Sequence, residues 1–421
     1  MIIAIIGSGG REHAICQKIY ESKNIKKIFC IPGNGGTKKI AENIEIDINN
    51  FDKIKSFLIK EKVDLTIVGP EEPLVNGVVD FLKKYDLKVF GPDKYCSQLE
   101  GSKIFTKKIC DKENIPTASF KIFGDIESSL EYLNKKSYPL VVKADGLAAG
   151  KGVYICKDYN ESLVATQEIF AGKFGNAQSF LVEDYLEGEE MSYFIICDGD
   201  NYKFFGTAQD HKRVGEGDKG KNTGGMGCYS PSRLFNSDLS EKINKKIINP
   251  TLTAIKDLGT SYKGFLYVGL MIKNNEPYLV EFNVRMGDPE CQTILPLLEN
   301  DLTELIFNCC LGKLKNEKVN FSEKKSICIV LCSEGYPQDY KKNIVIENLD
   351  KLILKKNEYI FHAGTKIENN QILAFGGRVL NFISVSNNFK NSRDDIIDLI
   401  NRLNWKHGFF RKDIGYKVVN K

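Results

Sequence analysis

The sequence predicts a multidomain protein of α/β and α+β architecture, and three observations carry that prediction. The first hundred residues alternate short apolar runs with helix-like segments and Gly- or Pro-bearing turns, the pattern of parallel βαβ units. Beyond Gly101 the apolar runs flank a glycine-rich loop or face each other across a short turn, which suits an α+β region rather than a second parallel sheet. A length of 421 residues corresponds to two or three domains and buries a large core without disulfides. The expected organisation is an N-terminal parallel-sheet domain over residues 1–101, a central domain over 102–324 and a small C-terminal domain over 325–421.

In chain order, Ile2–Ile6, Lys27–Ile31, Leu65–Val68 and Lys88–Phe90 read as strands. In a parallel sheet the turns that follow them, Gly7–Arg11, Pro32–Thr37, Gly69–Pro73 and Gly91–Asp93, gather on the sheet's carboxyl edge. A helix follows Gly101-Ser102-Lys103 and stops at Asn114-Ile115-Pro116-Thr117. Tyr138–Lys143 and Phe180–Glu183 read as strands around a glycine-rich loop. Gly264–Met271 and Tyr278–Phe282 form a hairpin across Lys273–Glu276. The strand Ser326–Cys332 and the helix Ser392–Leu403 belong to the closing domain.

Composition excludes several classes. A formal net charge of +4 is too balanced for a protein whose main task is gripping nucleic acid, so no nucleic-acid partner is expected. The 12 cysteines are scattered, without a C-x-x-C pair, and the closest, Cys309-Cys310 and Cys328/Cys332, sit in apolar stretches as small hydrophobes, which points to a reducing, cytoplasmic setting. Met1–Ile6 lacks a basic leader and runs straight into a glycine turn, unlike a signal peptide. No run approaches the ~20 apolar residues of a membrane span.

Four motifs carry chemistry. Gly7-Ser8-Gly9-Gly10-Arg11-Glu12 lies between a strand and a helix, where bare amides can hold a phosphate or simply make a tight turn. It is no dinucleotide fingerprint, because Glu12 stands at the third glycine position. Lys143 ends an apolar run, where an ammonium is costly unless it meets an anion, and the loop containing Gly146, Gly150, Lys151 and Gly152 allows close approach of a polyphosphate. The alternative is a strand-end lysine snorkelling to water. In Tyr278–Glu290, strand alternation puts Glu281 and Asn283 on one face, two oxygen ligands suited to Mg²⁺, with Arg285 placed to contact an anion beyond the metal. Gln209-Asp210-His211-Lys212-Arg213 feeds the glycine loop Thr223–Gly227, where Lys212 or Arg213 meets anionic oxygens and His211 orders the loop. His362–Lys366 and Gly376-Gly377-Arg378 either add contacts from the closing domain or are turns only.

A lysine on an apolar strand, a glycine-rich loop, Leu181–Leu186 and the Glu-x-Asn strand together resemble the ATP-grasp superfamily. Within it, Gly7–Ala14, Val68–Leu74, Lys143–Gly152, Gln209–Arg213, Asn222–Gly227, Glu281–Glu290 and His362–Lys366 are similar, in order, to the phosphoribosylamine–glycine ligase family. The resemblance implies a pre-ATP-grasp N-terminal domain, an ATP-grasp domain with a mobile subdomain over about residues 121–190, and a monomer. It implies ligation of glycine to 5-phosphoribosylamine through glycyl phosphate, with ATP as co-substrate and Mg²⁺ or Mn²⁺ as the metal. The nucleotide would be held by Lys103, Lys143, Gly146, Gly150, Lys151, Gly152, Glu183, Tyr185, Leu186 and, toward the ribose, Glu190. The substrates would meet Gly9, Gly10, Arg11, Glu12, Pro70, Glu71, Asp210, Lys212, Arg213, Gly224, Gly225, Arg285 and Asp288. Arg285, Asp210 and Lys143 would be catalytic, and Glu281 and Asn283 would hold metal. Many ATP-grasp enzymes carry a third acidic ligand on the preceding strand. Leu266–Met271 offers none, which leaves one ion or two open. A nicotinamide-dependent dehydrogenase, a non-catalytic nucleotide sensor and an ATP-grasp ligase of another acid and amine are the competing readings.

Overall fold

The computed structural model describes residues 1–148, 152–174 and 179–419. Five strands open the chain: β1 (Ile2–Gly7), β2 (Lys27–Pro32), β3 (Glu42–Asn43), β4 (Leu65–Val68) and β5 (Val89–Phe90). They pair in parallel in the order β3-β2-β1-β4-β5. Successive side chains of β1 enter opposite faces, Ile3 and Ile5 into one core and Ala4 and Ile6 into another, which is why its sequence is a continuous apolar run. The turns after β1, β2, β4 and β5 therefore share one edge, as the alternation requires. The two-residue β3 has no apolar run, so no pattern marked it. Helix α1 (Gly10–Tyr20) springs directly from the first glycine turn.

A second unit is an antiparallel four-stranded sheet in the order Phe120–Phe123, Phe180–Asp184, Leu140–Ala144, Val153–Cys156. It has its own core, including Phe123, Leu133, Val142, Ile169 and Phe180. The helices that cover it, Ile126–Asn134 and Tyr159–Phe170, start where the Asp125 and Asp158 carboxylates accept from backbone amides of the first turn.

The third and largest unit is a nine-stranded sheet. Its first edge is the hairpin Lys263–Lys273/Glu276–Asn283, which turns on Asn274 and Asn275, both left-handed at φ 53° and 59°. The sheet continues through Glu189–Asp198, Tyr202–Asp210 and Gly227–Ser230. There Lys325–Ser333 adds antiparallel to Gly227–Ser230, followed by Arg378–Ser386 and Glu358–His362. The closing region thus extends the central sheet rather than standing apart from it. Among the described residues, no helix is long and apolar enough to cross a membrane.

Candidate functional site

The helix Lys103–Lys112 begins where Ser102 caps the Phe105 amide, and it carries Lys103 and Lys107 one turn apart on the same face. Lys103 donates to the Gly146 carbonyl at 2.9 Å. Lys107 lies 3.3 Å from Glu183, whose other oxygen meets Lys143 at 2.8 Å. Lys107, Lys143 and Glu183 are all buried. Burial pulls the Lys103 and Lys107 ammoniums below their ordinary value; burial would raise the Glu183 carboxyl, but Lys143 and Lys107 outweigh it and hold it low. Two buried lysines on one glutamate, with Lys103 close by, leave an excess of positive charge that an anion would neutralise. Gly150 and Lys151 lie outside the described residues.

Lys143 also donates to the Val280 carbonyl at 3.4 Å, which brings the lysines to the Glu281 strand. Gly269 faces Glu281 across the hairpin while Leu270 faces Leu279, so Val280 bulges out, a device that re-aims the following side chain. Glu281 lies 4.0 Å from Lys212, which bridges to Glu190 at 2.8 Å, and all three are partly exposed to one cleft. Burial works against the Lys212 charge, yet Glu190, Tyr267 and Glu281 together raise its pKa well above normal. With its side-chain amide turned to satisfy its neighbours, Asn283 donates to Glu100 at 3.0 Å and to the Phe282 carbonyl at 3.1 Å, which leaves its oxygen free to act as a ligand. Among the described residues no group of three or more His, Cys, Asp or Glu side chains is arranged to hold a metal ion.

Arg285 does not reach freely into this cleft. Its guanidinium donates to Glu71 at 3.1 Å, to Glu100 at 2.5 Å and to the Met286 carbonyl at 3.2 Å, tying the metal-strand candidate to the N-terminal domain. Arg285, followed by Arg11, pulls the Glu71 carboxyl down to about 2, whereas burial pushes Glu100 up to about 7. Pro70 caps the short helix from Glu71, which places that carboxylate.

The glycine turn is likewise filled by the protein's own carboxylates. Glu12 accepts the Gly9 amide at 2.6 Å and Arg11 Nε at 2.8 Å, and Asp288 accepts the Arg11 amide at 3.3 Å. Gly10 packs directly beneath Asn381 and Gln292, where a Cβ would collide with both amides. The Gly9 and Arg11 amides thus already meet carboxylates of the protein, an arrangement that also serves a tight turn at this end of α1. Arg378 closes the network with hydrogen bonds to the Gly224 and Asp288 carbonyls and an ion pair to the Asp288 carboxylate at 3.1 Å. Burial would raise Asp288; Arg378 and Arg11 overcome it and keep it ionised.

Asp210 ends its strand beside Glu290. Burial, then the Glu290 charge, pushes the Asp210 carboxyl well above the ordinary range, and burial raises Glu290 as well. Ser192 donates to Glu290 at 2.9 Å and the His211 amide to Asp210 at 2.7 Å. Among the described residues neither carboxylate has a cationic partner within ion-pair distance. Gly225, at φ +112°, leaves the room that a Cβ would take from Asp210 and Pro289. His211 is buried between the Gly227 carbonyl (3.1 Å) and the Gly415 amide (3.2 Å), the loop-ordering role expected of it. Arg213 instead turns toward the Gly220 carbonyl at 2.9 Å, away from the acids, and Tyr185 is exposed in the link after Phe180–Asp184.

Sequence reading missed Lys107, Glu100 and Glu290 and left Arg378 undecided. The four-residue spacing from Lys103 could have flagged Lys107; nothing local marks Glu100, whose partners lie at residues 283–285.

A small antiparallel unit carrying a buried lysine, set against a large antiparallel sheet that bears the Glu-x-Asn strand, defines a protein of the ATP-grasp class. The description "Phosphoribosylglycinamide synthetase, ATP-grasp (A) domain" matches residues 101–291, and the N and C domains of that synthetase match residues 1–100 and 326–417. The chain belongs to the phosphoribosylglycinamide synthetase family. A relative from Pasteurella multocida named phosphoribosylamine–glycine ligase is 43% identical, with 100% of this chain and 98% of the relative aligned. The crystal structure of phosphoribosylamine–glycine ligase from Thermotoga maritima superposes with a TM-score of 0.85 at 31% identity, covering 98% of this chain and 100% of that one. The biotin carboxylase domain of 2-oxoglutarate carboxylase from Hydrogenobacter thermophilus, solved with MgADP, shares the fold at a TM-score of 0.73 and 15% identity, covering 95% of this chain and 89% of that one.

Proposed function

We propose that this protein joins glycine to 5-phosphoribosylamine with cleavage of ATP, giving glycinamide ribonucleotide, ADP and phosphate. The observation that carries this reading is the cleft itself. Lys103, Lys107 and Lys143 supply positive charge at one end, Glu281 and Asn283 follow, and the half-buried Asp210 and buried Glu290, two acids without an ion-paired cation among the described residues, lie near Lys212 at the other. A polyphosphate suits the first end and an amino acid's ammonium suits the second.

Glycine's carboxylate is a poor electrophile, so one of its oxygens first attacks the γ-phosphorus and ADP leaves. The lysines and Lys212 neutralise charge that spreads over the phosphoryl oxygens. Glu281 and Asn283 would hold a Mg²⁺ or Mn²⁺ ion, which would supply further positive charge to the phosphoryl group being transferred. The amine nitrogen of phosphoribosylamine then attacks the carbonyl carbon of glycyl phosphate and loses one proton, and phosphate departs with a former carboxylate oxygen. Asp210 and Glu290 hold the glycine ammonium; Glu12, Glu71 and Asp288, clamped by Arg11, Arg285 and Arg378, offer acceptors to ribose hydroxyls. The four-stranded unit, within residues 121–190, closes over the nucleotide and excludes water from the acyl phosphate. Val182–Leu186 carries the adenine, with Glu190 toward its ribose. The enzyme acts as a cytoplasmic monomer, with no nucleic-acid partner.

ADP release scanned over amino acids, with phosphoribosylamine generated in the assay, tests this. Glycine should be strongly preferred, with alanine weak because its extra methyl meets a closed pocket, an effect of at least ~1–3 kcal/mol. ADP release that is indifferent to amino acid and amine would overturn the reading.

A further inference from the structure

We infer that the C-terminal segment Arg411–Tyr416 is a latch that aims Asp210 and Lys212 into the cleft, with Arg411 as its positioning residue. This rests on the function proposed above. The strand ends at Asp210, and just beyond it His211 is buried while Asp210 and Lys212 on either side stay half-exposed. The His211 ring lies between the Gly227 carbonyl and the Gly415 amide, so a residue near the end of the chain fixes the motif from behind.

Beyond His211 the chain makes the excursion Arg213–Asn222, two short strands with Val214 as the one apolar side chain and Lys219–Asn222 fully exposed. An isolated two-stranded ribbon without an apolar face has no stability of its own. Val214 packs against the main core at one point, and polar bonds hold the rest. The Arg411 side chain is 1% exposed, and its guanidinium donates to the Arg213 carbonyl (2.9 Å), Asp218 (2.8 Å) and both oxygens of Asp413 (2.8 and 2.7 Å). Asp413 accepts the Gly217 amide at 2.8 Å, Glu216 accepts the Lys412 amide at 3.1 Å, and Tyr416 donates to Asp218 at 3.0 Å. A buried guanidinium that satisfies two carboxylates and a carbonyl is a fixed point in an otherwise solvated loop. The same excursion returns through Thr223, whose amide and hydroxyl both donate to the Lys212 carbonyl at 2.8 and 2.9 Å. Slack in the excursion is thereby passed to the two residues that face substrate.

The test uses Arg411→Lys and Tyr416→Phe in the full-length protein; the second is at a side chain 40% exposed, so it removes one hydrogen bond with little risk to folding. Amide hydrogen exchange in the ligand-free protein should rise roughly tenfold or more over residues 213–222 in Arg411→Lys, with a smaller rise in Tyr416→Phe. The KM for glycine should rise in the same order while the KM for ATP stays within about twofold, a split that a general loss of folded enzyme would not produce. Unchanged exchange over 213–222 in both variants overturns the latch. Faster exchange with an unchanged glycine KM overturns its role in aiming the motif. If the unmodified protein does not use glycine, the proposed function fails and the exchange comparison still decides whether the latch exists.

Discussion

Lowering the pH should loosen the seam between α1 and the C-terminal strands, and His362 is the residue through which the effect can be sized. Its backbone amide donates to His13 Nδ1 at 2.9 Å, its ring contacts Thr365 at 3.0 Å, and its carbonyl accepts the Asn34 amide. Burial, followed by the nearby Lys39 charge, drives the His362 pKa down to about 3. An unfolded histidine titrates near about 6.5, so the unfolded chain takes the proton first. The stabilisation from keeping this ring neutral is present above that value and is lost as pH falls from about 6.5 toward about 3. Between about pH 7.5 and about pH 5 the loss amounts to about 2 kcal/mol for this side chain. Glu100, Asp210 and Glu290 titrate in the opposite sense, so the measurement is a difference: urea unfolding of wild type and His362→Gln at both pH values. Trp405 is the sole tryptophan, and its indole donates to the Val345 carbonyl in the same C-terminal region, so its fluorescence reports the transition. Wild type should be the more stable at the higher pH, and its advantage should shrink by about 2 kcal/mol at the lower. An advantage that does not change with pH would show that the ring is hydrated or charged in the folded protein and would refute the reasoning.

Three substitutions probe the cleft directly. Glu281→Gln should fold normally yet lose Mg²⁺-dependent ADP release by roughly a hundredfold or more, and near-normal turnover at ordinary Mg²⁺ would remove Glu281 from the metal site. Lys143→Met should change unfolding free energy by no more than about 1 kcal/mol, because Lys107 still pairs with Glu183, while kcat/KM for ATP falls at least roughly tenfold; retained kcat/KM would return Lys143 to a structural role. Gly225→Ala forces a side chain onto a backbone at φ +112° against Asp210 and Pro289, strain of about 1–3 kcal/mol, and should raise the KM for glycine. An unaltered KM for glycine would place the amino acid elsewhere.

The local chemistry of this fold is written in short stretches of sequence, and its long-range pairings are not. The continuous apolar runs of β1 and β4 and the glycine turns after them announce a parallel sheet with its functional edge, and Asn274-Asn275 announces the hairpin that carries Glu281. Period-two alternation brings Glu281 and Asn283 to one face. The pairing of Gly227–Ser230 with Lys325–Ser333, which makes one sheet of the central and closing regions, depends on residues about a hundred positions apart and leaves no local mark. Arg285 shows the same limit within the site. Its place after the Glu-x-Asn strand suggests an anion as partner, but the partners it meets, Glu71 and Glu100, come from a helix N-terminus and a short helix far earlier in the chain. Arg411 is the extreme case: nothing in its local sequence marks it, and only the folded arrangement buries it.

The central claim is that glycine is activated by phosphorylation of its own carboxylate in this cleft. It is tested most directly by turnover of glycine labelled with ¹⁸O in the carboxyl group, with mass analysis of the phosphate released and a parallel reaction that omits glycine. If a glycine oxygen attacks the γ-phosphorus, it becomes the bridging atom of glycyl phosphate and leaves with phosphate when the amine attacks carbon. The account predicts label in phosphate and no amine-dependent ADP in the absence of glycine. Unlabelled phosphate, or ADP formed from ATP and phosphoribosylamine alone, would contradict it.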